Sequence, residues 1–585
     1  MATMLPPKEV VIVGGGLSAG LIARRLVPLG REVLVLERGP DRGGAEGELP
    51  SQRDDLRWNI RRELIQKEQI ETYTLRHSPG EEALPMRQLT GFLPGFGVGG
   101  GAVHWNGQHW RFQPSDMNLL THLRQRYGAN AVPEELTLQD WGISYDELEP
   151  YYQQLEDLFG VSGKAGNIDG VPQQGGNPFE PRRTKEYPNP PLEPTEAGLI
   201  FARAAESLGY KPFPMPAANA SRPYTNPDGV RLGQCQYCGH CERFVCEANA
   251  KASPHILFFP LVRGRPNFEL RTHAEVYELV YDRPGRRVTG VRYVDAQTGI
   301  EYEQPAGTVV LASYVLSNTR LMLLSRIGEP YDPRTGRGVV GKNYCYQTTS
   351  GVGVFFRDRD FSPYIGTGAR GMVIDEFNCD NFDHSGLGFF GGGYISATIT
   401  NGRPIANRPL PPGTPRWGTA WKRANAEWYG KFMNIGCHGT SYSHRNNYMD
   451  LDPDYRDAYG RPLLRITFDF PENDIRMSAW TTQKCHEIAR ATGADIVGSP
   501  APRTRPYDAR AYQSTHNTGG TICGTDPATS VVSPHLQCWD AENLFITGAS
   551  VFPQNSGYNP TGPVGALALR LADTLAGYLE RPRRL

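Results

Sequence analysis

No stretch of this 585-residue chain approaches the roughly 20 consecutive apolar residues that a helix needs to cross a bilayer, so no direct membrane span is expected. An excess of charge of either sign is also missing. The 61 lysines and arginines face 62 aspartates and glutamates, a formal charge of −1. A chain so balanced gives neither nucleic acid nor an anionic membrane surface an electrostatic reason to bind. The opening MATMLPPKEVVIVGGG lacks a basic segment, an isolated apolar core and a small-residue cleavage site, and Arg24-Arg25 falls inside the first predicted helix. Read alone, that start predicts a cytoplasmic protein. Cysteine is scarce too. Six of the ten (Cys345, Cys379, Cys437, Cys485, Cys523, Cys538) are scattered singly, the habit of small buried side chains and not of a disulfide framework. The other four, Cys235, Cys238, Cys241 and Cys246, crowd into CQYCGHCERFVC.

What the chain has in quantity is glycine and proline, 66 and 48 residues, which predicts many turns and long ordered loops. Its length exceeds what one core serves, so two intimately joined domains are expected. The segment EVVIVGGGLSAGLIARRLVPLGREVLVLERG reads as strand, glycine turn, helix, strand. Val10 to Val13 form an apolar run, Gly14 and Gly16 follow, and Ala19 takes the third place of a G-x-G-x-x-G/A fingerprint. The first glycine permits the tight turn, the second lets backbone amides approach a pyrophosphate, and the small third residue lets helix and strand pack. The second strand, Val33 to Leu36, ends in Glu37, an acid suited to ribose hydroxyls and unsuited to a 2′-phosphate. This unit predicts a bound dinucleotide and leaves NAD or FAD open.

Two further glycine-rich blocks follow. GFLPGFGVGGGAVHWNGQHWRF, residues 91–112, is a loop shaped by its backbone. NLFITGASVFPQNSGYNPTGPVGALALRLAD predicts a short strand (Leu544 to Thr547), a glycine/proline loop and a helix from about Val564, its N-terminus facing whatever the loop embraces. With HNTGGTICGTDPATSVV these blocks resemble the glucose–methanol–choline (GMC) oxidoreductases. The runs RHSPGEEALPMRQLTGFLPGFGVGGGAVHWNG, SRPYTNPDGVRLGQCQYCGHC, KASPH, YMDLDPDYRDAYGRPLLRITFD and GYNPTG narrow the likeness to the flavoprotein subunits of membrane-bound gluconate 2-dehydrogenase and fructose dehydrogenase. The likeness covers essentially the whole chain.

The resemblance implies a mixed α/β fold: a Rossmann-like FAD-binding domain plus a substrate domain on a large, mainly antiparallel sheet. The FAD-binding parts would be 1–345, interrupted by a cysteine-rich loop at about 230–255, and 515–585. The substrate domain would be 346–514, with YISATITNG and CHGTSYSHRNNYMDLD suiting a sheet floor under a polyol. PAGTVVLASYVLSNTRLMLLSRIG resembles the family's strand–turn–helix that returns beside the flavin. It also assigns roles. His516, in STHNTGG, would take the hydroxyl proton as hydride leaves the carbinol carbon, and Asn559, in GYNPT, would hydrogen-bond the same oxygen. Imidazole suits that work near neutrality, and an amide orients without titrating. The plainer alternative for His516 is a cap on the loop before Gly519-Gly520. His104, in GGGAVHWNG, matches the place where a relative holds its flavin covalently, so a histidyl bond to the flavin 8α-methyl is implied; the alternative is a histidine packed beside Trp105 near a non-covalent flavin. Gly99, Gly100 and Gly101 would let backbone approach the cofactor, and Asn106 would neighbour the flavin ring. Gly548 and Ala549 would meet the pyrophosphate or ribityl chain, and Pro560 and Thr561 the cofactor beyond them. Val276 would meet the adenine, or serve simply as a strand valine.

The cysteine spacing is C-x2-C-x2-C-x4-C. Zinc usually takes two C-x2-C knuckles over a longer spacer, whereas iron–sulfur clusters accept ligands from one tight loop. Gly239 supplies turn freedom between the thiols. An iron–sulfur cluster, a structural zinc and plain structural cysteines all remain open on spacing. The resemblance implies a three-iron (3Fe-4S) cluster, which needs three thiolates and leaves Cys246, with the odd spacing, as the spare. A cluster would split a two-electron flavin's load into single electrons for a haem partner. The resulting expectation is an FAD-dependent dehydrogenase that oxidises a secondary alcohol of a sugar, sugar acid or polyol. Gluconate to 2-ketogluconate comes first, with fructose, sorbitol or glucose behind it. A glycoside 3-dehydrogenase or an oxygen-using pyranose-type oxidase is the alternative, and a scaffold subunit with a vestigial flavin site stands further off. The resemblance further implies a small escort subunit bearing an export signal, a multihaem cytochrome c subunit, and the periplasmic face of the inner membrane, with cytoplasm as the fallback.

Overall fold

The computed structural model describes residues 2–43, 54–68, 71–89, 91–363, 365–366, 368–369, 371–398, 409–510 and 514–585. Its first layer grows from apolar runs buried on both faces, as parallel strands require. The strand Lys8–Val13 lies parallel to Val33–Leu36 on one side and to the end of Glu301–Leu311 on the other. Phe268–Arg271 and Leu544–Ile546 extend the parallel sheet at its two edges. The start of Glu301–Leu311 turns to a different partner, pairing antiparallel with Arg287–Asp295, which pairs with Ala274–Asp282. One strand thus joins the nucleotide-type sheet to a three-stranded meander. The helix Leu17–Leu26 connects the first two strands and packs against the C-terminal helix Thr561–Glu580, which also packs on the helix Tyr145–Phe159.

The second layer is antiparallel, in the order Ile496–Val497, Thr348–Phe355, Phe432–Gly439, Gly393–Thr398, Gly371–Ile374, Phe213–Pro214. Two helices, Glu196–Ser207 and Glu472–Ala491, cover one face. Strand alternation sorts the side chains. Met433, Ile435 and Cys437 go under the helices into a core with Phe201, Ala205 and Ile488, so His438 is turned to the opposite face. Glu196–Ser207 and Phe213–Pro214 belong to this layer although they lie inside the segment 1–345. A third, smaller sheet runs in the order Tyr448–Arg456, Pro462–Thr467, Thr74–Arg76, Leu84–Pro85.

The C-terminal helix starts at Thr561, three residues before the expected Val564. Pro563 falls in its first turn, where a missing amide costs no helical hydrogen bond. All six scattered cysteines are buried. Among the described residues no helix is long and apolar enough to cross a membrane.

Candidate active site

The glycine turn after Lys8–Val13 is tight for a stated reason. Gly14 has φ +97°, and a Cβ there would lie 2.7 Å from the Ser313 Cα of the neighbouring strand–helix turn. Gly16, the residue at the N-terminus of Leu17–Leu26, is different: a Cβ on it would meet nothing within 4 Å. The helix has no side-chain cap there, so its first amides face an open cleft and favour an anion. Gly101 opens the cleft in the same way. Glu37 accepts from the amides of Gly15 and Gly39, both at 2.8 Å, and thereby clamps the turn while still lining the cleft. Its remaining lone pairs suit ribose hydroxyls.

From this turn the cleft runs one way to Glu37, Glu275 and Val276, and the other way past Gly548 and Ala549 to His104, Asn106, His516, Asn559, Pro560 and Thr561. Gly14, Gly16, Gly100 and Gly101 line its middle. Thr561 opens the C-terminal helix, which also lacks a side-chain cap. Ala19 is fully buried and packs beneath the turn, and Gly99 braces it by donating to the Gly15 carbonyl at 2.8 Å. The fourteen residues expected at the cofactor are therefore gathered along or directly under one groove.

At the far end His516 and Asn559 meet, Asn559 Nδ2 lying 3.1 Å from His516 Nε2. The surrounding amides decide which nitrogen carries hydrogen. Gln347 donates through Nε2 to the carbonyls of Ser556 and Tyr558 at 3.2 and 3.3 Å, so the oxygen it turns to His516 Nδ1 is an acceptor. Nδ1 must then be protonated and Nε2 holds a lone pair. Tyr394 Oη lies 2.9 Å from Asn559 Oδ1 and 2.7 Å from Gln108 Oε1 and has one hydrogen for the two, so it is the Nε2 lone pair that draws the Asn559 nitrogen toward His516. Burial, with His438 nearby, pushes His516 down to about 3, so the ring is neutral at ordinary pH. His516 thus engages Gln347 and Asn559 across the cleft and Ser514 Oγ, 2.9 Å from Nδ1, within its own loop.

Three contributors were not named individually from sequence: Gln347, and Tyr394 and His438, which lie in the YISATITNG and CHGTSYSHRNNYMDLD segments expected to floor the site. Tyr394 and His438 are direct cross-strand partners, and their rings stack with centroids 5.2 Å apart. The His438 ring lies 6.2 Å from that of His516 and lines the cleft. The alternation of Met433, Ile435 and Cys437 is the signal that could have singled it out. Tyr394 also reaches Gln108 at 2.7 Å, and Trp110 stacks on Tyr558 at 4.8 Å. Arg111 anchors that segment by pairing with Glu156 through Nε and Nη2, both at 2.8 Å.

His104 is 6% exposed, its Nε2 is buried without a partner, and burial followed by Lys251 pushes it down to about 4. A neutral imidazole with an unsatisfied buried nitrogen suits a bond to a ligand atom. The cysteine loop is laced to this same segment: the Arg243 amide donates to the His104 carbonyl at 2.6 Å. Lys251 Nζ donates to the Trp105 carbonyl at 2.7 Å. Cys235 and Cys241 are pushed up to about 12 and 11, by burial first, with the other thiols of the loop close enough to add to the shift. Among the described residues no three His, Cys, Asp or Glu side chains are set so that they could hold a metal ion as they stand.

Known proteins fit this architecture. Residues 138–349 and 443–568 match the two parts of the GMC oxidoreductase family. The chain belongs to that family and is an FAD-dependent oxidoreductase of the alcohol and sugar dehydrogenase type. The gluconate 2-dehydrogenase flavoprotein of Pantoea cypripedii is 43% identical over 590 positions, covering 100% of this chain and 96% of that protein. The fructose dehydrogenase large subunit of Gluconobacter japonicus is 26% identical, covering 98% of each. The fold is shared with the formate oxidase of Aspergillus oryzae RIB40, at a TM-score of 0.60 and 15% identity over 98% of both chains.

Proposed function

We propose that this chain is the flavoprotein of a dehydrogenase that oxidises a secondary alcohol of a sugar acid or sugar, with gluconate to 2-ketogluconate as the first candidate and fructose as the second. The observation that carries the reading is the unprotonated His516 Nε2, which accepts from the Asn559 amide at 3.1 Å in the dinucleotide cleft, joined to 43% identity over the whole chain with a gluconate 2-dehydrogenase flavoprotein.

When bound, FAD supplies the hydride acceptor. The chain does the rest. Amides at the two uncapped helix starts and the glycine turns bind the cofactor's phosphates, Glu37 its ribose, and Val276 lies toward its adenine. His516 Nε2 takes the hydroxyl proton, and Gln347 holds the tautomer that makes this possible. Asn559 orients the substrate oxygen through its Nδ2 hydrogens. His104 is the residue through which the flavin is held covalently, a role favoured by its unpartnered Nε2. Cys235, Cys238 and Cys241, with Cys246 beside them, would be the ligands of an iron–sulfur cluster of the three-iron kind once their side chains turned to a common centre, and such a cluster would supply a one-electron acceptor. Their single-loop spacing and the hydrogen bonds from this loop to His104 and Trp105 support that reading.

One relative is named a large subunit, which suits assembly with other chains. An escort subunit with an export signal, a multihaem cytochrome c subunit and a periplasmic location at the inner membrane complete the proposal. Anaerobic titration of the purified protein with gluconate, fructose, sorbitol and glucose tests it. Bleaching of the flavin band and of a broader iron–sulfur absorbance by one of these substrates is expected. Flavin bleaching with no iron–sulfur signal would leave the dehydrogenase and remove the relay, and rapid peroxide formation in air would favour an oxidase.

A further inference from the structure

Asn559 ends a loop, 555–559, whose earlier residues are tied down one by one. Asn555 donates through Nδ2 to the Tyr346 and His516 carbonyls at 2.6 and 2.8 Å, and Ser556 through Oγ to Asp116 at 3.0 Å. Tyr558, beside Asn559 and 1% exposed, donates its hydroxyl to Asp375, which is fully buried. Gln113 Nε2 lies 3.3 Å from the same hydroxyl and has no lone pair to offer, so the hydrogen of Tyr558 goes to Asp375. Asp375 is itself held, taking Nδ2 hydrogens from Asn177 and Asn378 at 3.0 Å each. Those amides are set to donate, because their oxygens accept from the backbone of Phe179 and Cys379 at 2.9 Å each. Trp110 stacks on the Tyr558 ring with centroids 4.8 Å apart, which fixes the plane of the ring, while the hydroxyl bond fixes where it lies in that plane. Asp375 follows Ile374, whose partner across the antiparallel sheet is Ile395, next to Tyr394. That sheet therefore reaches the loop at two neighbouring points: Tyr394 Oη, 2.9 Å from Asn559 Oδ1, and Asp375, on the residue before it.

We infer that Asp375 is a positioning residue for the reaction: by holding the Tyr558 hydroxyl it sets where Asn559 stands relative to His516. The inference rests on the proposed roles of His516 and Asn559 and deepens them. Neither Asp375 nor Tyr558 lines the cleft, so their effect reaches the substrate only through the neighbouring residue. A buried hydroxyl that loses its acceptor must move toward another or stay unpaired. Any shift of the Tyr558 ring passes through one peptide bond to Asn559. An amide misplaced by about 1 Å no longer meets the substrate oxygen squarely, and errors of that size cost up to about 10²-fold in rate. A clasp that merely joined sheet and loop would lower stability and leave the chemical step alone.

The test uses purified holoenzyme in five forms: wild type, Asp375→Asn, Tyr558→Phe, Asn559→Ala, and Asn559→Ala combined with Tyr558→Phe. Tyr558→Phe keeps the stacked ring and removes only the hydroxyl, so it decides the matter if Asp375→Asn does not fold. Flavin content is measured, and flavin bleaching is followed anaerobically by stopped flow against the concentration of the sugar that reduces the wild type. Asp375→Asn and Tyr558→Phe are expected to hold full flavin and to half-saturate near the wild-type concentration. At saturation they are expected to bleach about 10- to 100-fold more slowly. In the Asn559→Ala background Tyr558→Phe is expected to slow bleaching no further, because the residue it positions is gone. An unchanged rate in either folded variant would overturn the inference, and so would an equal further loss on top of Asn559→Ala. The crystal structure of Tyr558→Phe gives a readout that needs no substrate. Asn559 displaced from its 3.1 Å approach to His516 supports the inference, and Asn559 unmoved overturns it. Wild-type flavin that no sugar bleaches would overturn the proposed substrate, and that crystal structure would then settle the role of Asp375 alone.

Discussion

At His516 the choice of which nitrogen can accept a proton is made by a side chain that does not line the cleft. Gln347 spends its amide nitrogen on two carbonyls of the 556–558 loop, so it can only accept from Nδ1. His516→Gln removes the base, and kcat should fall by about 10²–10⁴-fold, the usual worth of a positioned general base. Gln347→Leu keeps the imidazole but frees its tautomer and orientation. A smaller fall in kcat is expected, roughly 10²-fold or less, with KM little changed. Steady-state rates at saturating substrate check both, and a Gln347→Leu enzyme with wild-type kcat would sink the tautomer argument. His104 invites a different measurement. If it holds the flavin, denatured wild-type protein should keep a fluorescent flavin band on a gel, and His104→Ala should lose that band while still binding FAD when folded. Fluorescence retained in the variant would move the attachment elsewhere or abolish it.

Among the elements, the two first glycines of the fingerprint separate folding from binding. A side chain at Gly14 collides with the Ser313 backbone and must adopt φ +97°, so Gly14→Val should yield little folded protein. Gly16 has φ −90° and open space before it, so Gly16→Val should fold and fail to hold FAD. Circular dichroism with flavin content of the purified variants distinguishes the two, and a Gly16→Val protein with full flavin would contradict the placement of the phosphates. The parallel core was legible because strands buried on both faces read as unbroken apolar runs, and Val10–Val13 and Val33–Leu36 do so. His516 and Asn559 were legible only through motif resemblance. Gln347, Tyr394 and His438 were not, because they converge through the pairing of three strands far apart in the chain. Nothing local in Phe432–Gly439 says that Tyr394 will lie opposite His438; the register of the sheet does.

Over the whole molecule, buried titratable groups of two kinds oppose one another. Burial lowers His104, His109, His255 and His438 to about 4 and His516 to about 3. Their unfolded value is near 6.5, so each contributes stability that is full above that pH and is lost as pH falls toward 4, where the unfolded chain takes up protons the folded one refuses. Burial acts in the other direction on carboxyls, raising Asp116 to about 6 and Asp375, Asp474 and Glu275 to about 7. Their folded values exceed the unfolded ones near 4, so each costs stability at neutral pH, a cost relieved as pH falls through the same window. Burial also lowers His444 and His535, so seven histidines stand against four carboxyls, and the carboxyls' relief offsets only part of the histidines' loss between about pH 6.5 and 4.5. Below pH 4.5 the relief is exhausted. Glu156, which burial raises but Arg111 and Arg183 hold down at about 2, and Asp380, held far below the usual carboxylate range by His122, His384 and Tyr127, then lose their stabilising charge. Melting temperature should therefore fall less steeply from pH 7 to about 4.5 than it does below. Asp474, fully buried with Oδ2 unpartnered, offers the control. Asp474→Asn removes one compensating carboxyl, so the variant should be more stable than wild type at pH 7 and lose that advantage as pH falls toward 4.5. Parallel melting curves for the two proteins at every pH would mean that Asp474 does not titrate in the folded state within this range, and that buried carboxyls do not offset the loss from buried histidines.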